Sequence, residues 1–371
     1  MKRRDLLTAA GLAAVGSTLA ACSQPSSSGS TSSGSTSKDE PVRHWKMVTT
    51  WPANFPGLGT GAANLAKRIT EASGGRLTVT VYAGGELVPP FEVFDAVSRG
   101  TAEMGHGASY YWKGKAPAAP FFSAVPFGMN AQEMNGWLYY GGGMELWREL
   151  YGQFNLVPFP AGNSGVQMAG WFRREINSLA DLQGLKMRIP GLGGEVMARV
   201  GVTPVNLPGA EIFTALQSGA IDATEWVGPY NDLAFGLHRI TKLCYYPGWH
   251  EPGSVLECMV NKEAYEALPA DLQALVSTCC QSINNDMLAE FSARNQQAMK
   301  TLVEEHGVEF RPLPDDVLAA LKTATNETLA GIAAADPFAA KVLEAYQSFQ
   351  QAAQAYTRVS EGAYLDARAR S

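Results

Sequence analysis

The stretch "GAANLAKRITEASGGRLTVTVYAGG", residues 61–85, contains the pattern that decides the fold. Its first part carries apolar side chains at helical spacing and ends at Gly74 and Gly75, which predicts a helix that stops there. From Leu77 the residues alternate with a period of two, which predicts a strand. A helix that runs directly into a strand is part of a βαβ unit, and it favours an α/β fold.

The same alternation continues on both sides of this stretch. Upstream, "HWKMVTTW" (44–51) predicts a strand, and downstream "PFEVFDAVSRG" (90–100) predicts a helix. After a segment rich in aromatic residues and prolines, the pattern resumes with "LVPFPAG", "VQMAGWF", "LKMRIP", "GGEVMARVG", "VTPVNL", "AEIFTALQSGA" and "DATEWV". Two α/β units in series, each too small to be a complete enzyme domain, predict two lobes with a cleft between them.

The lobes can be given approximate bounds. We place the first lobe at residues 41–162 plus about 250–290, and the second at 163–249 plus about 291–335. The pattern from about residue 262 onward is nearly all helical. A long C-terminal helix is expected at 336–371. It carries an apolar row with a period close to 3.5, formed by Val342, Tyr346, Phe349, Ala353 and Tyr356.

The first residues predict export from the cytoplasm. Residues 1–21 combine Lys2, Arg3 and Arg4 with a short apolar segment, as in an export signal. Arg3-Arg4 before Asp-Leu-Leu resembles a twin-arginine signal, and "LAAC" resembles a lipobox, which would make Cys22 the acylated first residue of a periplasmic, membrane-anchored lipoprotein. A plain secretory signal, with Cys22 as an ordinary thiol, is the alternative. Residues 22–40 are rich in serine and glycine and predict a flexible linker.

Composition argues against several classes of protein. The chain has 371 residues and a formal net charge of −6, without a basic run beyond its first residues, so nucleic acid is not expected as a partner. None of the five histidines belongs to a zinc-protease or nucleophile-elbow motif. The glycines of "GLGGEVMARVG" lack dinucleotide-binding spacing. We therefore do not expect an enzyme.

The four cysteines after Cys22 lack the spacing of a metal site. Cys279 and Cys280 lie in a pattern of helical spacing, which assigns at least one of them to a buried helix face. For Cys244 and Cys258, a disulfide and two separate thiols both stay open in an oxidising compartment.

Residues 41 to about 368 resemble the extracytoplasmic solute-binding proteins of tripartite ATP-independent periplasmic (TRAP) transporters, especially the branch that binds 2-oxo and 2-hydroxy monocarboxylates with a metal ion. The resemblance is carried by "GASYYWKGKAPAAPFFSAVPFGM" (107–129), "GVQMAGWF" (165–172), "LKMRIPGLGG" (185–194), "SGAIDATEWVGPYND" (218–232) and "YYPGWHEPG" (245–253). It implies an α/β, two-lobed periplasmic binding protein fold that closes on its ligand. It also implies a small and a large membrane subunit as partners.

The resemblance assigns roles to particular residues. Arg188, at the end of a predicted strand, matches the arginine that binds the ligand carboxylate, a use that suits its planar donor fork. Glu225 and the Trp226 carbonyl match ligands of the ion, and Trp226 also borders the organic ligand. Gln167 matches the amide that reaches both ion and ligand. Without the resemblance, Arg188 would more ordinarily form a surface ion pair, and Glu225 would be a solvated acid. Trp226 would be a core aromatic residue, and Gln167 a strand residue that hydrogen-bonds its neighbours.

Glu251 and two tyrosines complete the predicted site. Glu251 falls where the branch places another polar group, and two acids in one cleft favour a cation between them, because like charges raise each other's pKa. Tyr110 or Tyr111 would wall a small apolar ligand tail and donate a hydroxyl group to the ligand. A solvent-facing Glu251 and tyrosines packed between the lobes are the alternatives.

The overall prediction is a TRAP receptor for a small carboxylate, with sodium or calcium bridging to the ligand. The alternative is a metal-independent receptor for another organic acid or polar compound, which serves transport or sensing. In the branch that the chain resembles, a long C-terminal helix is exchanged between subunits. The row from Val342 to Tyr356 is long enough to make a homodimer in this way.

Overall fold

The computed structural model describes residues 41–370, and it contains two β-sheets. The predicted export signal at 1–21, the lipidated Cys22 and the linker at 22–40 lie outside the described residues. Within the described range, no helix combines the length and the apolar character that crossing a membrane requires.

The first sheet has the strand order β2-β1-β3-β10-β4. Its strands are β1 (Arg43–Thr49), β2 (Leu77–Tyr82), β3 (Met104–Gly107), β4 (Leu156–Asn163) and β10 (Val255–Asn261). The first three are parallel to one another, whereas β10 is antiparallel to both β3 and β4. The predicted βαβ alternation produces the parallel part, and a segment from much later in the chain closes the sheet.

The second sheet has the order β11-β9-β5-β8-β6-β7. Its strands are β5 (Gly170–Phe172), β6 (Lys186–Arg188), β7 (Thr203–Val205), β8 (Ala223–Thr224), β9 (Leu243–Tyr246) and β11 (Glu309–Pro312). We call the parts of the chain built on the two sheets the first and second lobes. The predicted α/β fold of two lobes is thus confirmed, while the lobe bounds given above stay a prediction.

The described residues form helices where the pattern predicted them and also at 131–152 and 229–235, where it predicted none. They are α1 (Gly59–Ala72), α2 (Val93–Ser98), α3 (Ala131–Tyr140), α4 (Gly143–Gly152), α5 (Gly191–Arg199), α6 (Gly209–Ser218), α7 (Pro229–Phe235), α8 (Lys262–Glu266), α9 (Ala270–Glu304), α10 (Asp315–Ala335), α11 (Pro337–Thr357) and α12 (Ala363–Ala369). The helix predicted from the opening stretch is α1, and it ends at Ala72, just before Gly74 and Gly75. Helix α9 packs against β4 and α1 of the first lobe and against α7 of the second.

The chain passes directly from one sheet to the other at two neighbouring places, and a third connection runs from β10 through α8 and α9 to β11. Residues 164–169 connect β4 to β5, and residues 247–254 connect β9 to β10. We call these the crossover segments. They are joined by hydrogen bonds from the Ser164 N–H to the Ser254 carbonyl (3.1 Å) and from the Gln167 N–H to the Glu251 carbonyl (3.2 Å). Two predicted site residues, Gln167 and Glu251, therefore lie side by side where the lobes join.

The cysteines are all buried and unpaired among the described residues. Cys244 lies on β9 in the second sheet and Cys258 on β10 in the first, so the disulfide that the sequence left open does not form between them. Cys279 and Cys280 both lie on buried faces of α9, as the helical spacing predicted for at least one of them.

The C-terminal apolar row divides into two parts. Val342 and Tyr346 are fully buried in the core of the first lobe, where the Tyr346 hydroxyl accepts a hydrogen bond from the Met129 N–H (2.8 Å). Tyr356 is 68% exposed, and Val359 beyond it is 71% exposed. The first half of the row packs against its own chain, so exchange of the whole row is not supported, and a homodimer stays a prediction.

Candidate functional site

Arg188 and Glu225 form a buried ion pair at the end of two adjacent strands. Strands β6 and β8 are parallel neighbours with Arg188 opposite Thr224, so Glu225 follows at the same sheet edge. Arg188 donates through Nη1 to the Glu225 carboxylate and to its carbonyl oxygen (3.1 Å). Both side chains are only 1% exposed. A guanidinium held at this depth needs a carboxylate partner, because an unpaired buried charge is very costly.

A second acid, Glu251, lies in the same buried space. Its carboxylate accepts hydrogen bonds from the Gln167 amide (2.8 Å) and from the Ser254 hydroxyl. Burial raises the pKa of Glu251 to about 7, and the charge of Glu225 contributes in the same direction. Two carboxylates in one buried cleft raise each other's pKa when no cation lies between them.

His250 joins these two acids, and the sequence argument missed it. Its Nε2 lies 3.4 Å from a Glu225 carboxylate oxygen, and one potential ligand atom each from Glu225, His250 and Glu251 lie within 4.8 Å of one another. All three side chains are buried. The adjacent His-Glu pair before Pro252 was the only signal in the sequence, and it matches no motif.

The donor set fits a hard cation. The side-chain oxygen of Gln167 is buried and accepts no hydrogen bond from residues 41–370, although its nitrogen donates to Glu251. An acceptor left free beside two carboxylates is suited to a positive charge, and amide and carboxylate oxygens are the ligands that calcium takes. Sodium, another hard cation, suits the same oxygen donors.

Aromatic side chains enclose the ion pair. The Arg188 guanidinium lies over the Trp226 ring, 5.2 Å from its centre. Trp226 in turn contacts Trp51 and Phe55 edge to face, at centroid distances of 6.4 and 5.9 Å. The indole N–H of Trp226 is buried and unpaired within the described range. The predicted Trp226 therefore borders the site, together with two aromatic residues that the sequence argument did not include.

The two tyrosines lie on the opposite wall, in the first lobe. The Tyr111 hydroxyl is 3.5 Å from Arg188 Nη2, and Tyr110 packs against Gly191 of the second lobe, where an added Cβ would come within 3.0 Å. Burial, followed by the charge of Glu251, raises the pKa of Tyr110 well above its ordinary value. Both hydroxyl groups are therefore protonated donors at neutral pH, and both predicted tyrosines reach the site.

The two lobes also meet at the mouth of this cleft. Lys113, which follows Tyr111 and Trp112, forms an ion pair with Glu195 on α5. A crevice of about 460 Å³ lies beside this pair and is lined by the tyrosines and by the segment from Ile189 to Ala198. The ion pair is thus a side-chain contact between the two lobes.

Comparisons with known proteins identify the family of the chain. The family model described as DctP, bacterial extracellular solute-binding protein, family 7, matches residues 47–336. A monocarboxylate 2-oxoacid-binding periplasmic protein of Nostoc sp. is 43% identical over 364 residues, which cover 98% of each chain.

Two solved structures are similar over most of the chain. One is a TRAP periplasmic solute-binding protein from Pseudoalteromonas atlantica with bound sodium and pyruvate, at 45% identity and a TM-score of 0.85. The other, from Colwellia psychrerythraea, has bound calcium and pyruvate, at 44% identity and a TM-score of 0.84. Each comparison covers 88% of this chain and 99% of the other. The chain therefore belongs to bacterial extracellular solute-binding protein family 7, the DctP family of TRAP transporter solute receptors.

Proposed function

We propose that this receptor captures a small 2-oxo or 2-hydroxy monocarboxylate, such as pyruvate or lactate, together with a sodium or calcium ion. The observation that carries the proposal is the buried Arg188–Glu225 pair beside Glu251 and the free side-chain oxygen of Gln167. The pyruvate found with sodium or calcium in the two similar structures supports it.

In this proposal each side chain has one task. Arg188 binds the ligand carboxylate through its planar donor fork. Glu225, Glu251, the Gln167 side-chain oxygen and the Trp226 carbonyl hold the ion. A bound sodium or calcium ion would supply the positive charge that these oxygen atoms require, and it would bridge to the oxygen atoms of the ligand.

The walls of the site favour a small ligand. Trp226 and Tyr111 lie next to the Arg188 guanidinium, and Tyr110 packs against Tyr111, so a carboxylate bound by Arg188 would be bordered by aromatic side chains. The protonated hydroxyl groups of Tyr110 and Tyr111 donate to the ligand's oxygen atoms, and the ring faces cover a short apolar group such as a methyl. Closure of the lobes then removes the acid from water.

A thermal-shift panel tests the proposed function. Purified protein is stripped with a chelator, exchanged into sodium-free buffer and heated with pyruvate, lactate, longer 2-oxo acids and dicarboxylates, each with and without sodium or calcium. A small monocarboxylate at 100 times its dissociation constant should stabilise the cation-loaded protein by about 2.7 kcal/mol. Equal stabilisation of stripped protein would instead favour a metal-independent receptor for an organic acid.

We also propose that the mature protein is a periplasmic lipoprotein that delivers its ligand to the small and large membrane subunits of a TRAP transporter. The lipobox-like "LAAC" and the serine-rich linker support an anchor at Cys22. The wild-type protein should fractionate with membranes, and Cys22→Ser should release it into the soluble fraction. A wild-type protein that is soluble under the same fractionation would contradict the anchor.

A further inference from the structure

In the Arg188–Glu225 pair, a guanidinium and a carboxylate bind each other, whereas the proposed function assigns each of them a different partner. The carboxylate of Glu225 is needed by the cation, and the Nη1 atom of Arg188 is needed by the ligand carboxylate. In the structure the two groups bind each other directly, with both side chains buried. The two opposite charges are thus satisfied within the protein.

The guanidinium is held in place by groups other than this carboxylate. Its Nε donates to the Leu207 carbonyl (3.3 Å), Nη1 donates to the Glu225 carbonyl (3.1 Å), and the guanidinium lies over the Trp226 ring. These contacts do not involve the carboxylate of Glu225. Arg188 can therefore change its carboxylate partner without leaving its position.

The other edge of the guanidinium is weakly used. Nη2 is 3.5 Å from the Tyr111 hydroxyl, which is the outer limit of a hydrogen bond. A ligand carboxylate that binds in the bidentate manner requires two parallel N–H groups, so the Glu225 carboxylate must give up its contact with Nη1.

Glu225 has no equivalent replacement for Arg188 among the groups around it. Its second carboxylate oxygen is 3.4 Å from His250 Nε2, and its other close neighbour is the acid Glu251, whose charge repels it. Separation from Arg188 would leave a buried carboxylate without a full positive charge, which is strongly unfavourable. Glu225 can release Arg188 only when another cation takes its place.

We propose that Arg188 acts as a substitute cation for Glu225 in the cation-free protein, and that this internal pair competes with the ligand. The inference rests on the proposed function and adds the regulation of the same site. Glu225 exchanges Arg188 for the cation, and Arg188 exchanges Glu225 for the ligand carboxylate. A monovalent cation and a monocarboxylate then enter as a neutral pair, and the net charge of the buried site is unchanged.

The inference predicts that Glu225→Gln has opposite effects in two conditions. In chelator-stripped, sodium-free protein, the weaker amide competitor releases Arg188, so pyruvate should bind at least tenfold more tightly to the variant than to the wild type. At saturating sodium or calcium the order should reverse, because the variant lacks the carboxylate that holds the cation. Calorimetry with pyruvate measures the dissociation constants of the variant and the wild type in both conditions, and shows whether their order reverses.

Matched variants separate the exchange from a general change of charge. Glu251→Gln also removes a buried acid from the site, but it does not touch Arg188, so it should weaken loaded binding without any gain in stripped protein. Glu71→Gln, on the exposed face of α1, should match the wild type in both conditions. Circular dichroism confirms that each variant is folded.

A second measurement keeps the inference falsifiable if Glu225→Gln does not fold. Arg188→Ala removes the substitute cation, so calcium alone should bind more tightly to this variant than to the wild type. The proposed exchange is wrong if stripped Glu225→Gln binds pyruvate no more tightly than stripped wild-type protein. It is also wrong if Arg188→Ala binds calcium no more tightly than the wild type. Loaded wild-type protein that binds no 2-oxo acid would instead overturn the proposed function.

Discussion

Pyruvate binding to the cation-loaded protein should weaken at least a hundredfold in Arg188→Ala and at least tenfold in Arg188→Lys. Arg188 is buried at the end of β6, and in the proposed function its guanidinium binds the ligand carboxylate. Loss of one partner from a buried, hydrogen-bonded charge pair costs about 2–5 kcal/mol, which covers the hundredfold change expected for alanine. Lysine keeps the charge but loses the two parallel N–H groups.

Calorimetry with pyruvate at saturating calcium measures both variants. Arg68→Ala is the matched control, because Arg68 forms a surface ion pair with Asp286 on α9 and should leave the dissociation constant unchanged. Dissociation constants that match the wild type for both Arg188 variants would remove Arg188 from the site.

The second large effect concerns Glu257, a buried acid in the first lobe. It lies on β10, where its carboxylate accepts hydrogen bonds from the Trp112 indole and from the Tyr151 hydroxyl (2.7 Å). Burial raises the pKa of Glu257 from 4.5 to about 7. The folded protein therefore keeps a proton that the unfolded chain releases above pH 4.5.

The sign of the pH dependence follows from this difference. The contribution of Glu257 to stability is fully present below pH 4.5 and is lost as the pH rises through about 7, and the whole change corresponds to about 3 kcal/mol. Glu257→Gln removes this dependence, while its amide can still accept from Trp112 and donate to the oxygen of Tyr151. The variant should be more stable than the wild type at pH 8, and this advantage should be absent at pH 5.

Chemical denaturation of both proteins at pH 5, 6, 7 and 8 gives the difference in unfolding free energy. The comparison cancels other titrating groups, such as His106, whose pKa burial lowers to about 4. Glu71→Gln, an exposed change, should run parallel to the wild type across the range. A difference between Glu257→Gln and wild type that stays constant with pH would contradict the prediction.

Local sequence patterns predicted the fold class, because the periodicity of a helix or a strand can be recognised from residues that are close together in the sequence. The periodicities from residue 44 onward indicated elements of both sheets but not β3, β9 or β10, and the helical region from about residue 262 is confirmed apart from β11. The segment "VQMAGWF" enters the sheet only at Gly170, and "DATEWV" leaves it after Thr224.

In both segments the site residues lie outside the sheets. Gln167 lies on a crossover segment, and Glu225 follows the end of β8. The period of a strand cannot show where pairing stops, because that depends on partner strands distant in the sequence. The direct contact between Arg188 and Glu225, and the place of His250 beside it, likewise depend on the pairing of β6 with β8 and on the second crossover.

The two crossover segments and α9 are the parts of the chain that would have to adjust if the lobes rotated relative to one another. The crossover segments are joined by backbone hydrogen bonds, and Gln167 and Glu251 on these segments bind each other directly. Lys113 and Glu195 instead join the lobes through their side chains alone. We therefore expect separation of the lobes to break the Lys113–Glu195 ion pair and to leave the spacing of the Gln167 and Glu251 oxygen atoms unchanged.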